Sequence, residues 1–118
     1  MANAFVHVEL NTTDVDKAKG FYGKLFNWKL EDMPMEGGVY TIIKPEKGTG
    51  GGMMKHPMPG APSAWLPYVE VADISETTER ARLLGAAVLL EPREGPIGWR
   101  SVVAVPAGAE LAFWQPKI

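Results

Sequence analysis

His7 and Glu9 stand two residues apart in the apolar run of residues 5–10. Side chains on a strand alternate between its faces, so the pair shares one face. An imidazole and a carboxylate set side by side offer nitrogen and oxygen donors for a proton or a divalent ion. The plainer alternatives are a core histidine bonded to a neighbour, and a glutamate paired with Arg100 or a lysine at a rim. Glu70, Glu110 and His56 extend the donor set, and His7 with two of these carboxylates is a chemically possible metal site. The bland reading has the glutamates in water and His56 opening a proline-rich loop. Other chemistry is thin. The chain has no cysteine, which excludes disulfides, thiolate metal sites and cysteine nucleophiles. Ser63 and Ser101 have no nearby histidine motif for nucleophilic catalysis. Residues 48–52 are glycine-rich but lack the Lys-Ser/Thr of a phosphate loop and open no helix, so they read as a strand turn. Trp28, Trp65, Trp99 and Trp114 could each stack on a planar ligand, although a lone tryptophan is more often core or interface.

The elements that must position these groups belong to a small domain. At 118 residues the chain can build one core and is too short for two independent ones. Its formal net charge is −2, and its twelve lysines and arginines form no basic run, which argues against a nucleic-acid partner. The N-terminal residues lack the basic start and apolar stretch of a signal peptide. Nowhere do about eighteen apolar residues run together, as a membrane span would require. With the lack of cysteine, this fits a cytoplasmic location.

The pattern predicts a strand over residues 5–10 and a helix capped by Asp14 and running to about Phe26. Strands follow at 28–32, 39–44 and 52–55, with a turn at 33–38. After a proline-rich linker at 56–63 the order restarts. A strand at 65–71 leads to Asp73, a second cap with Glu76 in capping-box position. The second helix stops at Gly85, a natural C-terminal glycine, and strands follow at 87–90, 100–105 and 110–114. The halves align without a gap at an offset of 59 residues: Asp14 on Asp73, Val15 on Ile74, Leu25 on Leu84, Leu30 on Leu89. Such a repeat indicates an α+β fold of two βαβββ modules, at about 4–55 and 64–116, within a single domain spanning 1–118. Val15, Phe21, Leu25 and Leu84 are expected to be buried.

The stretch from His7 through Asp14, Phe21-Tyr22 and Leu25-Phe26 to Trp28 resembles the first-module signature of the vicinal oxygen chelate superfamily, which holds glyoxalase I, bleomycin-resistance proteins and extradiol dioxygenases. Leu83-Leu84-Gly85-Ala86-Ala87-Val88 is similar to the matching exit in the second module. Pro106-Ala107-Gly108-Ala109 resembles the turn before its last strand. The ending Trp114-Gln115-Pro116 is similar to a subgroup related to lactoylglutathione lyase.

The resemblance implies an eight-stranded sheet, curled around a concave cavity, with the helices outside. Alternation then turns Val6, Val8, Leu10, Val69, Val71, Leu111 and Phe113 toward the helices. It turns Phe5, His7, Glu9, Gly52, Met54, Leu66, Tyr68, Glu70, Glu110, Ala112 and Trp114 inward. Metal enzymes of the family hold a divalent ion with one side chain from each of the first, fourth, fifth and eighth strands. Those positions fall on His7, Met54, Leu66 and Ala112, and only His7 is a suitable donor, so no metal and no other cofactor is expected. The implied function is binding of a small organic ligand, aromatic ones included, in a cavity contacted by Phe5, Met54, Leu66, Tyr68, Ala112 and Trp114. The alternative is a lyase- or isomerase-like enzyme with His7 and Glu9 as catalytic groups, Glu9 acting as general base. A vestigial cavity in an interaction module is a third reading. The family also implies a homodimer.

Overall fold

The computed structural model describes residues 2–35 and 37–117. The elements are β1 (Phe5–Thr12), α1 (Val15–Leu25), β2 (Lys29–Met35), β3 (Gly38–Lys44) and β4 (Gly51–Lys55), then β5 (Ala64–Glu70), α2 (Ile74–Leu83), β6 (Ala87–Glu94), β7 (Gly98–Ala104) and β8 (Glu110–Pro116). The class is α+β and the strand–helix–three-strand order occurs twice, as the repeat predicts. Contacts group the chain into two compact units. One is His7–Leu66, and the other joins the N-terminal residues through Val6 to the chain from Pro67 onward. The N-terminal segment is tied to β5, where the Glu70 amide donates to the Ala4 carbonyl at 3.0 Å and Asn3 Nδ2 donates to the Glu70 carbonyl at 2.9 Å.

The two helices begin by the same local chemistry. Asp14 and Asp73 are extended N-caps, and each carboxylate accepts a hydrogen bond at 3.0 Å from the amide three residues on, Lys17 and Glu76 respectively. A cap of this kind stabilises a helix by about 1 kcal/mol. The α2 start has a further acceptor, because Gln115 Oε1 on β8 takes the Ile74 amide at 2.7 Å. The Gln of the Trp-Gln-Pro ending therefore ties the last strand to the second helix. Gly85 ends that helix with a φ of +105°, where a side chain would be strained.

In the first unit the strands lie in the order β2-β3-β4-β1, and in the second β5-β8-β7-β6. The β1–β4 and β5–β8 ladders are parallel and the others antiparallel. The first core packs Leu10, Ile43 and Met53 against Ala18, Tyr22, Trp28 and Leu30. The second packs Val71, Ile74, Ala86, Val103 and Phe113 with Ala81, Val88, Trp99, Val105 and Leu111. Leu10, Val71, Leu111 and Phe113 thus take the helix side, as alternation requires. Beside the second core, Thr78 Oγ1 donates to the Ile74 carbonyl at 2.6 Å and meets Ser101 Oγ at 2.8 Å, both side chains fully enclosed.

Three expectations need correction. First, Phe21, Leu25 and Leu84 are 60%, 56% and 71% exposed, and Val15 is only half-buried. The face of α1 turned to its sheet is the Ala18–Tyr22 stripe. Phe21 and Leu25 form the adjacent stripe, about 60° around the helix at 3.6 residues per turn. In α2 the inward stripe is Ile74, Thr78 and Ala81, while Leu84 is the C-cap, beyond the last turn. Second, the turn placed at 33–38 is shorter, because β2 continues to Met35 and pairs through Met35 with Gly38; Glu36 lies outside the described residues. Pro34 fits because β2 is the outer strand of its unit, where a missing amide need not break a ladder. Third, β6 extends to Glu94 instead of stopping at Leu90, with register shifts between Val88 and Leu90 and between Leu90 and Arg93. Pro92 is accommodated there, again on the outer strand. No helix among the described residues is long and apolar enough to cross a membrane.

Candidate functional site

The first unit's sheet face away from α1 holds a connected polar network. β1 supplies His7, Glu9 and Asn11 by simple alternation. Glu9 is 3% exposed. Its Oε2 accepts from Asn11 Nδ2 at 2.9 Å and its Oε1 from the Tyr40 hydroxyl at 3.0 Å. The same hydroxyl lies 2.7 Å from His7 Nε2, with the two rings 6.3 Å apart and nearly parallel. Burial pushes the His7 imidazole below its ordinary pKa of 6.5, and the neighbouring Glu9 carboxylate opposes that shift more weakly. At neutral pH His7 is therefore uncharged. On the helix side of this sheet, hydrogen bonds from Lys19 and then Thr41 hold the Asp32 carboxyl below the usual carboxylate range.

The second unit presents a corresponding set on its face away from α2. Tyr68 is buried, and its hydroxyl accepts from Arg100 Nη1 at 3.1 Å. Tyr68 pairs with Ala112 across the β5–β8 ladder, and Trp114 pairs with Arg100 across β7–β8. Trp114 lies over Gly98, where an added Cβ would come within 2.6 Å of the indole.

The residues singled out from sequence are therefore placed as follows. His7 and Glu9 are joined through Tyr40. Met54 is half-buried on β4 as the cross-strand partner of Asn11. Leu66 is buried on β5, two residues from Tyr68. Ala112 is fully enclosed and Trp114 half-buried on β8. Phe5 stands 63% exposed at the start of β1. His56, weighed as an extra metal donor, instead accepts through Nδ1 from the Met58 amide at 3.0 Å and so shapes its own loop. Tyr40 and Asn11 are not among the residues singled out from sequence, and Arg100 is weighed there only as a partner for Glu9. Asn11 was within reach of the alternation that selected His7 and Glu9. Tyr40 was not, because its role depends on cross-strand register.

Two hollows lie away from this network. One of about 300 Å³ lies among Val8, Trp28, Ile43, Gly51 and Trp65, and one of about 470 Å³ lies among Asp73, Pro92, Glu94, Trp99 and Gln115. Neither is lined by His7, Glu9 or Tyr40.

Fold and repeat define the class. The chain belongs to the glyoxalase/bleomycin resistance protein/dioxygenase superfamily, whose family model matches residues 4–113. Among curated relatives it is similar to the proposed glyoxylase CFP32 of Mycobacterium tuberculosis, with 32% identity over 92% of this chain and 44% of that protein. It is also similar to the anthracycline biosynthesis protein DnrV of Streptomyces peucetius, with 26% identity over 93% of this chain and 46% of that protein. The chain thus spans less than half the length of these relatives. Among solved structures, methylmalonyl-CoA epimerase from Mycobacterium tuberculosis shares the fold, with a TM-score of 0.70 and 16% identity over 97% of this chain and 88% of the other.

The resemblance to metal enzymes of the superfamily would require a set of donors for a divalent ion. Of the four positions implied by the resemblance, Met54 offers a thioether suited to soft copper, and Leu66 and Ala112 offer no donor. His7 directs Nε2 to Tyr40. Among the described residues, no three His, Cys, Asp or Glu side chains cluster in a way that could hold a metal. These residues do not fit the family's ion.

Proposed function

We propose that this chain binds a small organic ligand, aromatic ones included, on the sheet faces turned away from its helices, without the family's divalent ion. The observation that carries the reading is the His7–Tyr40–Glu9–Asn11 network. A carboxylate that is 3% exposed is costly to bury, and it is kept on the face that does not pack against the helix. Fully bonded polar groups on such a face suit recognition better than packing. Phe5, Met54, Leu66, Tyr68, Ala112 and Trp114 are the proposed apolar and aromatic ligand contacts. The relative named for anthracycline biosynthesis supports an aromatic class of ligand.

The experiment is a thermal-shift panel of planar aromatics and dicarbonyls on chelator-dialysed protein. Ligand at a hundred times its Kd should stabilise the chain by about 2.7 kcal/mol. If no compound shifts the transition, the reading fails in favour of an interaction module. A second reading has its own observation: Glu9, held from both oxygens, sits within one hydroxyl of a neutral imidazole. That arrangement suits a lyase or isomerase with His7 and Glu9 as catalytic groups, in line with the relative proposed as a glyoxylase. Turnover of a dicarbonyl adduct that disappears in Glu9→Gln would move this reading ahead. We also infer a homodimer, supported by exposed apolar side chains such as Leu83, Leu84 and Ile97. Light scattering at the mass of one chain would remove it.

A further inference from the structure

Tyr40 sits on β3, and β4 lies between β3 and β1. Its hydroxyl nevertheless reaches Glu9 and His7 on β1. The route passes over Gly52, which pairs with Glu9 on one side and Ile42 on the other. A Cβ at position 52 would lie 2.2 Å from the Tyr40 hydroxyl oxygen and 2.3 Å from Cε2 and Cζ. Only a glycine leaves room for the ring to cross. The consequence is a proton assignment. A phenol has one hydroxyl proton, and the acceptor-only carboxylate of Glu9 takes it. In the 2.7 Å contact with His7 the oxygen must then accept, so Nε2 must carry a hydrogen.

We propose that Tyr40, admitted by the bare backbone of Gly52, is the positioning residue of the His7–Glu9 site, holding the hydrogen of His7 on Nε2. Its use in ligand recognition rests on the function proposed above, but the tautomer itself does not. Histidine tautomers are otherwise set by the partner of one ring nitrogen, and here that partner is fixed from another strand.

The test is nitrogen-15 NMR of the histidine rings in the full chain at a pH where His7 is neutral. Wild type should show the Nε2–H pattern for His7. Tyr40→Phe keeps the ring and removes the acceptor, and the single Nε2–H pattern should be lost while the backbone spectrum stays folded. Gly52→Ala should cause the same loss. If that variant fails to fold, Tyr40→Phe alone decides. An Nδ1–H pattern in wild type, or an unchanged His7 pattern in folded Tyr40→Phe, overturns the proposal. Because no ligand is used, a failed ligand panel would leave this result standing, and the two failures are distinguishable.

Discussion

Gly52→Ala is the perturbation that most sharply separates a built site from an incidental contact. Gly52 is buried, and its backbone is not among the glycines with positive φ. Alanine is therefore not excluded by the backbone, and in a strand it should gain about 0.5 kcal/mol over glycine. Against this stands the clash. The three nearest atoms to an added methyl all belong to Tyr40, at 2.2–2.3 Å, where ordinary contact begins near 3.4 Å. The ring must move by about 1 Å, at an overpacking cost of about 1–3 kcal/mol. That shift breaks the hydrogen bonds to Glu9 and His7, each worth about 1 kcal/mol. The net expectation is a loss of about 3 kcal/mol, or about 10 °C in Tm for a domain of this size. The assay is urea unfolding in a double-mutant cycle with Tyr40→Ala. Once the ring is gone, Gly52→Ala should be neutral or slightly stabilising, which gives a coupling of about 3 kcal/mol. If Gly52→Ala costs as much without the ring as with it, the obstruction lies elsewhere and the reasoning fails.

Further outcomes follow from individual contacts. Ala107 has a φ of +82° at the third position of a turn closed by the Gly108 amide on the Val105 carbonyl. Ala107→Gly should relieve that strain and raise stability by about 0.5–1 kcal/mol in chemical unfolding; a destabilised variant would contradict the turn geometry. Thr78→Val removes one partner of the enclosed Thr78–Ser101 pair and should cost about 1–3 kcal/mol. Adding Ser101→Ala should recover part of that loss, since removing both partners costs less than orphaning one. Because the folded chain holds His7 below 6.5, the unfolded chain takes up its proton first as pH falls. The His7 contribution to stability is thus complete above pH 6.5 and is lost as pH drops through the folded-state value. The difference between wild type and His7→Gln in unfolding free energy should narrow from pH 7.5 toward 5, and a difference that widens would contradict the burial.

How much could be read from sequence varied with how local the cause was. Asp14, Asp73 and Gly85 were legible because a cap or a left-handed glycine is decided within four residues. The two-module order followed from the same punctuation repeated at a fixed offset. Phe21 and Leu25 show where periodicity stops: helical spacing identifies a stripe but not which neighbouring stripe meets the sheet. Met35 and Glu94 extend their strands because an outer strand tolerates Pro34 and Pro92, a property of strand order and not of the segment. His7 and Glu9 were legible by alternation along one strand. Tyr40 was not, since its place in the network depends on crossing β4 at the one residue that lets it pass.

In the function proposed here, the ligand lies on a sheet face away from the helices and no divalent ion is needed to hold it. The most direct measurement is an NMR titration of chelator-dialysed protein with a planar hydroxylated aromatic. Saturable binding is expected without added metal, with the largest shifts in the first unit at His7, Glu9 and Tyr40. Binding that appears only after zinc or nickel is added, or shifts confined to the helix side around Trp28 and Trp65, would contradict it.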